Sequence, residues 1–194
     1  TEFFNNISSE IKLIHPGVKI GNSLSLENIL NKGLQPGGTF ELTPQMEMGD
    51  FIALSYKPTD TLGDINRTPR EAITDFEKTL EIFPSQKLAF FEISWSTSDF
   101  VNGHNQDQEQ FIKSSLIFFE ENESQIEFFT ISRLFDKPKG SCVSQDIATV
   151  GGSTFASNSF RLERIDEYLC NSGLIDKNEN AKPAWAQLKT NIPQ

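Results

Sequence analysis

Cysteine, histidine, methionine, tryptophan and tyrosine each occur only twice in the chain, and the shortages exclude whole classes of chemistry. Cys142 and Cys170 have no histidine cluster near either, which argues against a zinc site and leaves a disulfide between them as an open alternative. Basic residues are also scarce. Lys and Arg number 17 against 27 Asp and Glu, and the formal net charge of -10 would repel phosphates. No nucleic acid and no anionic membrane surface is therefore expected as a partner, while neutral ligands remain open. No apolar run approaches the roughly 18 residues of a membrane span. The turn after the first predicted strand reads GNSLSLEN and contains no G-x-G-x-x-G, so the nucleotide site of an open doubly wound sheet is not announced. The sequence offers no clear site for a metal or an organic cofactor, and none is expected. The chain opens on TEFFNN, without an initiator Met or a basic-then-apolar leader, and reads as cut or processed. The few thiols, with N-x-S/T triplets at Asn6, Asn66 and Asn122, lean toward a secreted or extracytoplasmic protein.

What is present is an alternation of helices and apolar strands. Phe3, Phe4, Ile7, Ile11 and Ile14 recur at helical spacing until Pro16 and Gly17 stop the helix. A strand is predicted over residues 18–26, followed by a short helix in ENILNKG and a Pro/Gly-rich loop over 34–49. FIALSY, residues 51–56, is a compact strand. Thr68, Pro69 and Glu71 then form a T-x-x-E capping box with proline at the first helical position, and Ile73, Phe76, Leu80 and Phe83 mark the buried stripe. Strands over 88–94 and 126–132 flank a helix over 106–121; residues 137–159 read as irregular, and a last short helix is predicted over 183–190. Phe90, Phe91, Phe128 and Phe129 are predicted to alternate between the two faces of their strands.

Strands apolar on both faces and separated by helices indicate a parallel sheet covered by helices. The fold class expected is α/β, and part of a (β/α)8 barrel is favoured over an open doubly wound sheet, although four strands cannot close a barrel. An open α/β domain complete in itself, binding a small ligand at its strand tips, is the structural alternative.

The succession KLAFFEISW, NQDQEQFIKSSLIFF, IEFFTISRLFD and NSGLIDKNENAKPAWAQL resembles the C-terminal half of the retaining-clan (β/α)8 glycoside hydrolases, in particular the arabinogalactan endo-galactanase-like and related barrel proteins. The resemblance implies that residues 1–194 are the C-terminal half, strands five to eight with their helices, of a single (β/α)8 barrel domain whose N-terminal half is absent from this chain. It implies hydrolysis of a polysaccharide or oligosaccharide with Glu92 as nucleophile, the acid/base Glu lying upstream of the chain. Tyr56, at the end of SYKP's strand, matches the tyrosine that contacts that nucleophile, and Trp95 and Phe135 match positions that line sugar subsites. Ser94 stands where the pattern has Gly. The implied partners are a carbohydrate substrate and either the missing half of the barrel or a second copy.

The residues themselves allow a plainer reading beside this one. Glu92 at a strand tip can be paired with Lys57 or Arg133, since an ionised carboxylate is costly to bury alone. Trp95 can pack under the following loop and Tyr56 can cap one. Asn22, read as lying near the end of the first strand, is a further candidate to reach the pocket, and His104 and Asp136 read as ordinary loop and turn residues. The functional alternative is a non-catalytic carbohydrate-binding or interaction protein on the same scaffold.

Overall fold

The computed structural model describes residues 2–32, 47–143 and 158–191. In chain order its elements are α1 (Glu2–Ile14), β1 (Gly21–Ser25), α2 (Leu26–Lys32), β2 (Phe51–Tyr56), α3 (Pro69–Ile82), β3 (Leu88–Ile93), α4 (Asn105–Glu121), β4 (Ile126–Ile131), α5 (Ser159–Cys170) and α6 (Pro183–Asn191), with one 3-10 turn at Asp99–Val101. The strands form a parallel sheet in the order β1-β2-β3-β4, each paired with its neighbour in sequence. This is the partial TIM-barrel-like arrangement expected from the sequence.

Local sequence explains the best-defined boundaries. The Thr68 hydroxyl accepts from the Glu71 N–H while the Glu71 carboxylate accepts from the Thr68 N–H at 2.7 Å, so two otherwise unsatisfied amides at the start of α3 are paired. At the other end of the fold, Gly173 passes so close to the backbone of Phe135 and Asp136 that a Cβ there would collide with it. Only glycine permits that approach.

The core lies between the sheet and its helices. Phe76 of α3 contacts Tyr56, Phe90, Phe111 and Phe118, with ring centroids 4.8–6.1 Å apart. Phe129 stacks on Phe119 of α4 at 3.8 Å. Pairs in this distance range add a modest attraction to the area they bury. Phe51 and Phe128 lie on the other face and meet edge-to-face at 5.8 Å, with Phe128 44% exposed. The expected alternation of Phe128 and Phe129 is therefore found. Among the described residues, the helices that bury the core lie on the side of Phe90 and Phe129.

α1 carries the apolar stripe predicted for it, yet none of its residues is buried: Phe3 is 77% exposed and Ile14 72%. The strand predicted over 18–26 is shorter, because Leu26 already begins α2. Within the segment expected to be irregular, residues 144–157 lie outside the described residues, and α5 follows directly. Most of the loop predicted over 34–49 likewise lies outside them.

The two cysteines form a disulfide, Cys142–Cys170, tying the segment after β4 to the end of α5. Asp166 of α5 reinforces the tie by accepting from the N–H groups of Cys142 and Val143, at 2.8 and 3.0 Å.

Candidate functional site

The C-terminal ends of parallel strands bring Ser25, Lys57, Glu92 and Ser132 to one edge of the sheet. Glu92 reaches the open face through an irregularity. Leu54 pairs with Phe90, but the next residue, Ser55, pairs with Glu92, so one residue of β3 is skipped. Strict alternation would have put Glu92 on the helix side with Phe90; the extra residue turns it to the side of Ser55.

There the Glu92 carboxylate is held from two directions. Lys57 Nζ lies 3.2 Å from Oε2, and the Ser132 hydroxyl donates to Oε1 at 3.3 Å. Both charged side chains are about one third exposed, at 33% and 37%, so the pair is screened by solvent and contributes orientation more than stability. Of the two partners considered for Glu92 in sequence, Lys57 is the one found. Arg133 turns away and donates to the Leu169 carbonyl at 2.9 Å.

Lys57 joins a second carboxylate that sequence reasoning missed. Its backbone N–H donates to Glu27 Oε1, and the Ser25 hydroxyl donates to Glu27 Oε2. Burial pushes the Glu27 carboxyl above its ordinary range, against the opposing pull of those hydrogen bonds and of the Lys57 charge. Glu27 lies in the first turn of α2. The signal that could have exposed it was the strand end: with β1 stopping at Ser25, the next carboxylate necessarily falls at the mouth. A cavity of about 450 Å³ opens beside it, lined by Ser25, Glu27, Lys57, Thr59, Asn66 and Arg161 among others.

The other expected site residues are distributed as follows. Phe135, just beyond β4, is 51% exposed, with its backbone bridged to Ile175. Tyr56 is buried on the helix side, where its hydroxyl donates to Asp75 Oδ2 at 3.0 Å, and Arg67 Nε donates to the same oxygen at 3.1 Å. Burial, followed by the Asp75 charge, holds the phenol protonated. Trp95 is also in the core, its ring 5.0 Å from that of Phe111 and its carbonyl accepting from Gln108 Nε2 at 2.8 Å. Asn22 lies near the beginning of β1 rather than its end, opposite Ile52, because the strand spans only Gly21–Ser25. The structure thus brings Lys57 and Ser132 to Glu92, and does not bring Tyr56, Trp95 or Asn22 there.

Ser94 has a structural partner. It is buried, its hydroxyl lies 3.2 Å from that of Tyr168, and the Tyr168 hydroxyl donates to the Ser94 carbonyl at 2.8 Å. The side chain where the resembled pattern has Gly is used to bind α5. Asp136 is structural as well, paired at 2.7 Å with Lys182. His104 is exposed and contacts Asp99 at 2.8 Å. Cys142, Asp166 and Cys170 cluster closely enough to suggest metal ligands, but both sulfurs are consumed by the disulfide.

The four parallel strands give the chain a partial TIM-barrel-like α/β fold with carboxylates and hydroxyls at the C-terminal end of the sheet. No family model matches the sequence and no curated protein matches it. Among solved structures, a GH128 (subgroup IV) endo-β-1,3-glucanase from Lentinula edodes is similar with a TM-score of 0.50 and 13% identity, over 86% of this chain and 54% of that one. An active-site mutant of a Rhizomucor miehei β-1,3-glucanosyltransferase, in complex with laminaritriose, is similar at 0.46 and 9% identity, over 91% and 53%. The likeness to the first is one of fold alone, and the chain spans about half the length of either protein. Among the described residues, no helix is long and apolar enough to cross a membrane.

Proposed function

We propose that residues 1–194 form the C-terminal half of a single (β/α)8 barrel domain that hydrolyses a polysaccharide or oligosaccharide with retention of configuration. The observation that carries this reading is the position of Glu92: a carboxylate on the open face, at the C-terminal tip of β3, oriented by Lys57 and Ser132. Glu92 attacks the anomeric carbon and a glycosyl-enzyme ester forms. A second carboxyl group, supplied by the other half of the barrel, protonates the leaving oxygen and then activates the water that releases the sugar. Phe135 offers its exposed ring to the substrate. Tyr56 and Trp95 act from behind, holding the strand tips that carry Glu92. The protein works outside the cytoplasm, where its disulfide persists.

The covering half belongs to this proposal. The sheet leaves Phe128 and the apolar stripe of α1 exposed, and β1 and β4 each leave one edge unpaired among the described residues. Both features are aggregation-prone in isolation, and four further strands with their helices would bury them. A second copy of the chain is the competing occupant, and a dimeric mass in solution would identify it.

The experiment takes the full-length protein and its Glu92→Gln variant across a panel of neutral polysaccharides, following product configuration by NMR. Loss of a single catalytic carboxylate lowers turnover by about a thousandfold or more. Unchanged hydrolysis would remove Glu92 from the mechanism. A non-catalytic carbohydrate-binding protein is the second reading, favoured by the Lys57 ammonium that engages the attacking oxygen; binding without hydrolysis by the unsubstituted protein would establish it.

A further inference from the structure

The cavity over the tips of β1 and β2 is adjacent to Glu92 without containing it, and Lys57 belongs to both. Its volume of about 450 Å³ falls within the roughly 300–1,000 Å³ of small-ligand sites. Hydroxyl, amide and carboxylate groups line it, from Ser25, Asn28, Thr59, Asn66 and Glu27. Such a set pairs with a ligand that presents many hydroxyls and little charge, because each group can meet a donor or an acceptor without leaving a buried ion unpaired.

The charged groups narrow the choice. The Lys57 ammonium is directed to Glu92, and Arg161, on the α5 side of the cavity, is already engaged within the protein. Oδ1 of Asp60 accepts from the N–H groups of Leu62, Gly63 and Asp64, which turns that oxygen into its own loop. Glu27 accepts one hydrogen bond on each oxygen, from Ser25 and from Lys57. A carboxylate has about four acceptor positions, so each oxygen can take another donor. Neighbouring hydroxyls of a sugar ring match two oxygens held side by side, whereas the carboxylate of a uronic acid would be repelled.

We infer that this cavity is a subsite for an uncharged pyranose unit, recognised by Glu27 through vicinal hydroxyls and selective against acidic sugars. The inference rests on the glycan reading of the strand tips and adds the substrate class and the specificity-determining residue. It places a stretch of the glycan on the β1–β2 flank of the mouth, displaced from the bond that Glu92 attacks.

The test follows backbone amide shifts of the full chain by NMR during titration with two trisaccharides, neutral laminaritriose and acidic trigalacturonic acid. The neutral sugar is expected to shift the amides of residues 25–28 and 57–61 and to bind at least about tenfold more tightly than the acidic one. Thr61→Trp, at the exposed rim of the cavity, is expected to weaken binding by about tenfold or more. Asn28→Trp, an exposed position on α2, plugs the cavity from another side should the first substitution disturb folding. Shifts confined to other residues, equal or tighter binding of the acidic sugar, or unchanged binding by both plugged variants would overturn the inference. Glu92→Gln of the full-length protein, assayed for hydrolysis in parallel, tests the catalytic reading separately, because Glu92 is not among the residues that line the cavity.

Discussion

Lys182 Nζ and Asp136 Oδ2 lie 2.7 Å apart with their side chains only 7% and 8% exposed. The ammonium also donates to the Thr97 hydroxyl at 2.8 Å and the Asn171 carbonyl at 3.2 Å, so one cation binds α6 to the segments after β3, after β4 and after α5. Removing one partner strands a buried charge. Lys182→Met is expected to destabilise the protein by about 3–5 kcal/mol, measured by urea unfolding. A loss below 1 kcal/mol would show that the pair does not hold these segments together.

Tyr56 gives a prediction that separates stability from substrate binding. Its hydroxyl is spent on Asp75 in the core. Tyr56→Phe should therefore lower stability by about 1–3 kcal/mol, the range for leaving a buried polar group short of a partner, with KM unchanged. A raised KM at unchanged stability would instead put the hydroxyl at the substrate.

The Cys142–Cys170 disulfide closes a loop with a sequence separation of 28. Reduction, or the double substitution to serine, is expected to cost about 3–4 kcal/mol by restoring freedom to the unfolded chain. Thermal unfolding with and without a reductant checks it. Equal melting temperatures would show that Asp166 and the packing of α5 suffice.

Glu27 sets a pH dependence. Its carboxyl titrates above its ordinary range of about 4.5 in the folded state, chiefly because it is buried. The folded state then binds more protons than the unfolded one between that value and the raised one. The contribution to stability is complete below about 4.5 and is lost as pH rises through the folded value. Glu27→Gln removes the titration, so its stability relative to the natural protein is expected to improve from pH 4.5 upward. Unfolding midpoints for both proteins from mildly acidic to neutral pH test this, and a constant difference would contradict it.

Much of the scaffold was legible because local signals agreed with one another. The strand at residues 51–56 and the capping box at Thr68 stand in the structure as read. α5 escaped because the residues it buries are Arg164, Asp166, Tyr168 and Cys170, which leave little apolar periodicity to detect. Its one local mark is Asn158, whose side chain accepts from the Arg161 N–H. The departure at Ser94 was visible, but its partner Tyr168 lies far along the chain.

The candidate site was legible in kind and less so in detail. That a carboxylate stands at the tip of β3 follows from its position in sequence. Which way it points depends on the skipped residue between Phe90 and Ile93, and a one-residue slip reverses every side chain after it. Tyr56 and Trp95 look equally suited to a sugar, yet the packing of Phe76 and Phe111 draws both rings to the helix side. Glu27 was overlooked because it reads as an ordinary first-turn residue of a short helix.

Among the described residues, every strand hydrogen-bonds only to its sequence neighbours, so β1 through β4 can assemble in the order in which they are synthesised, by closures of modest length. Among the described strands, β1 and β4 are the two that keep a free edge. A strand added there would lie as an extended backbone alongside one of them, so a substitution that kinks that edge would block the addition while leaving the mouth near Glu92 unchanged.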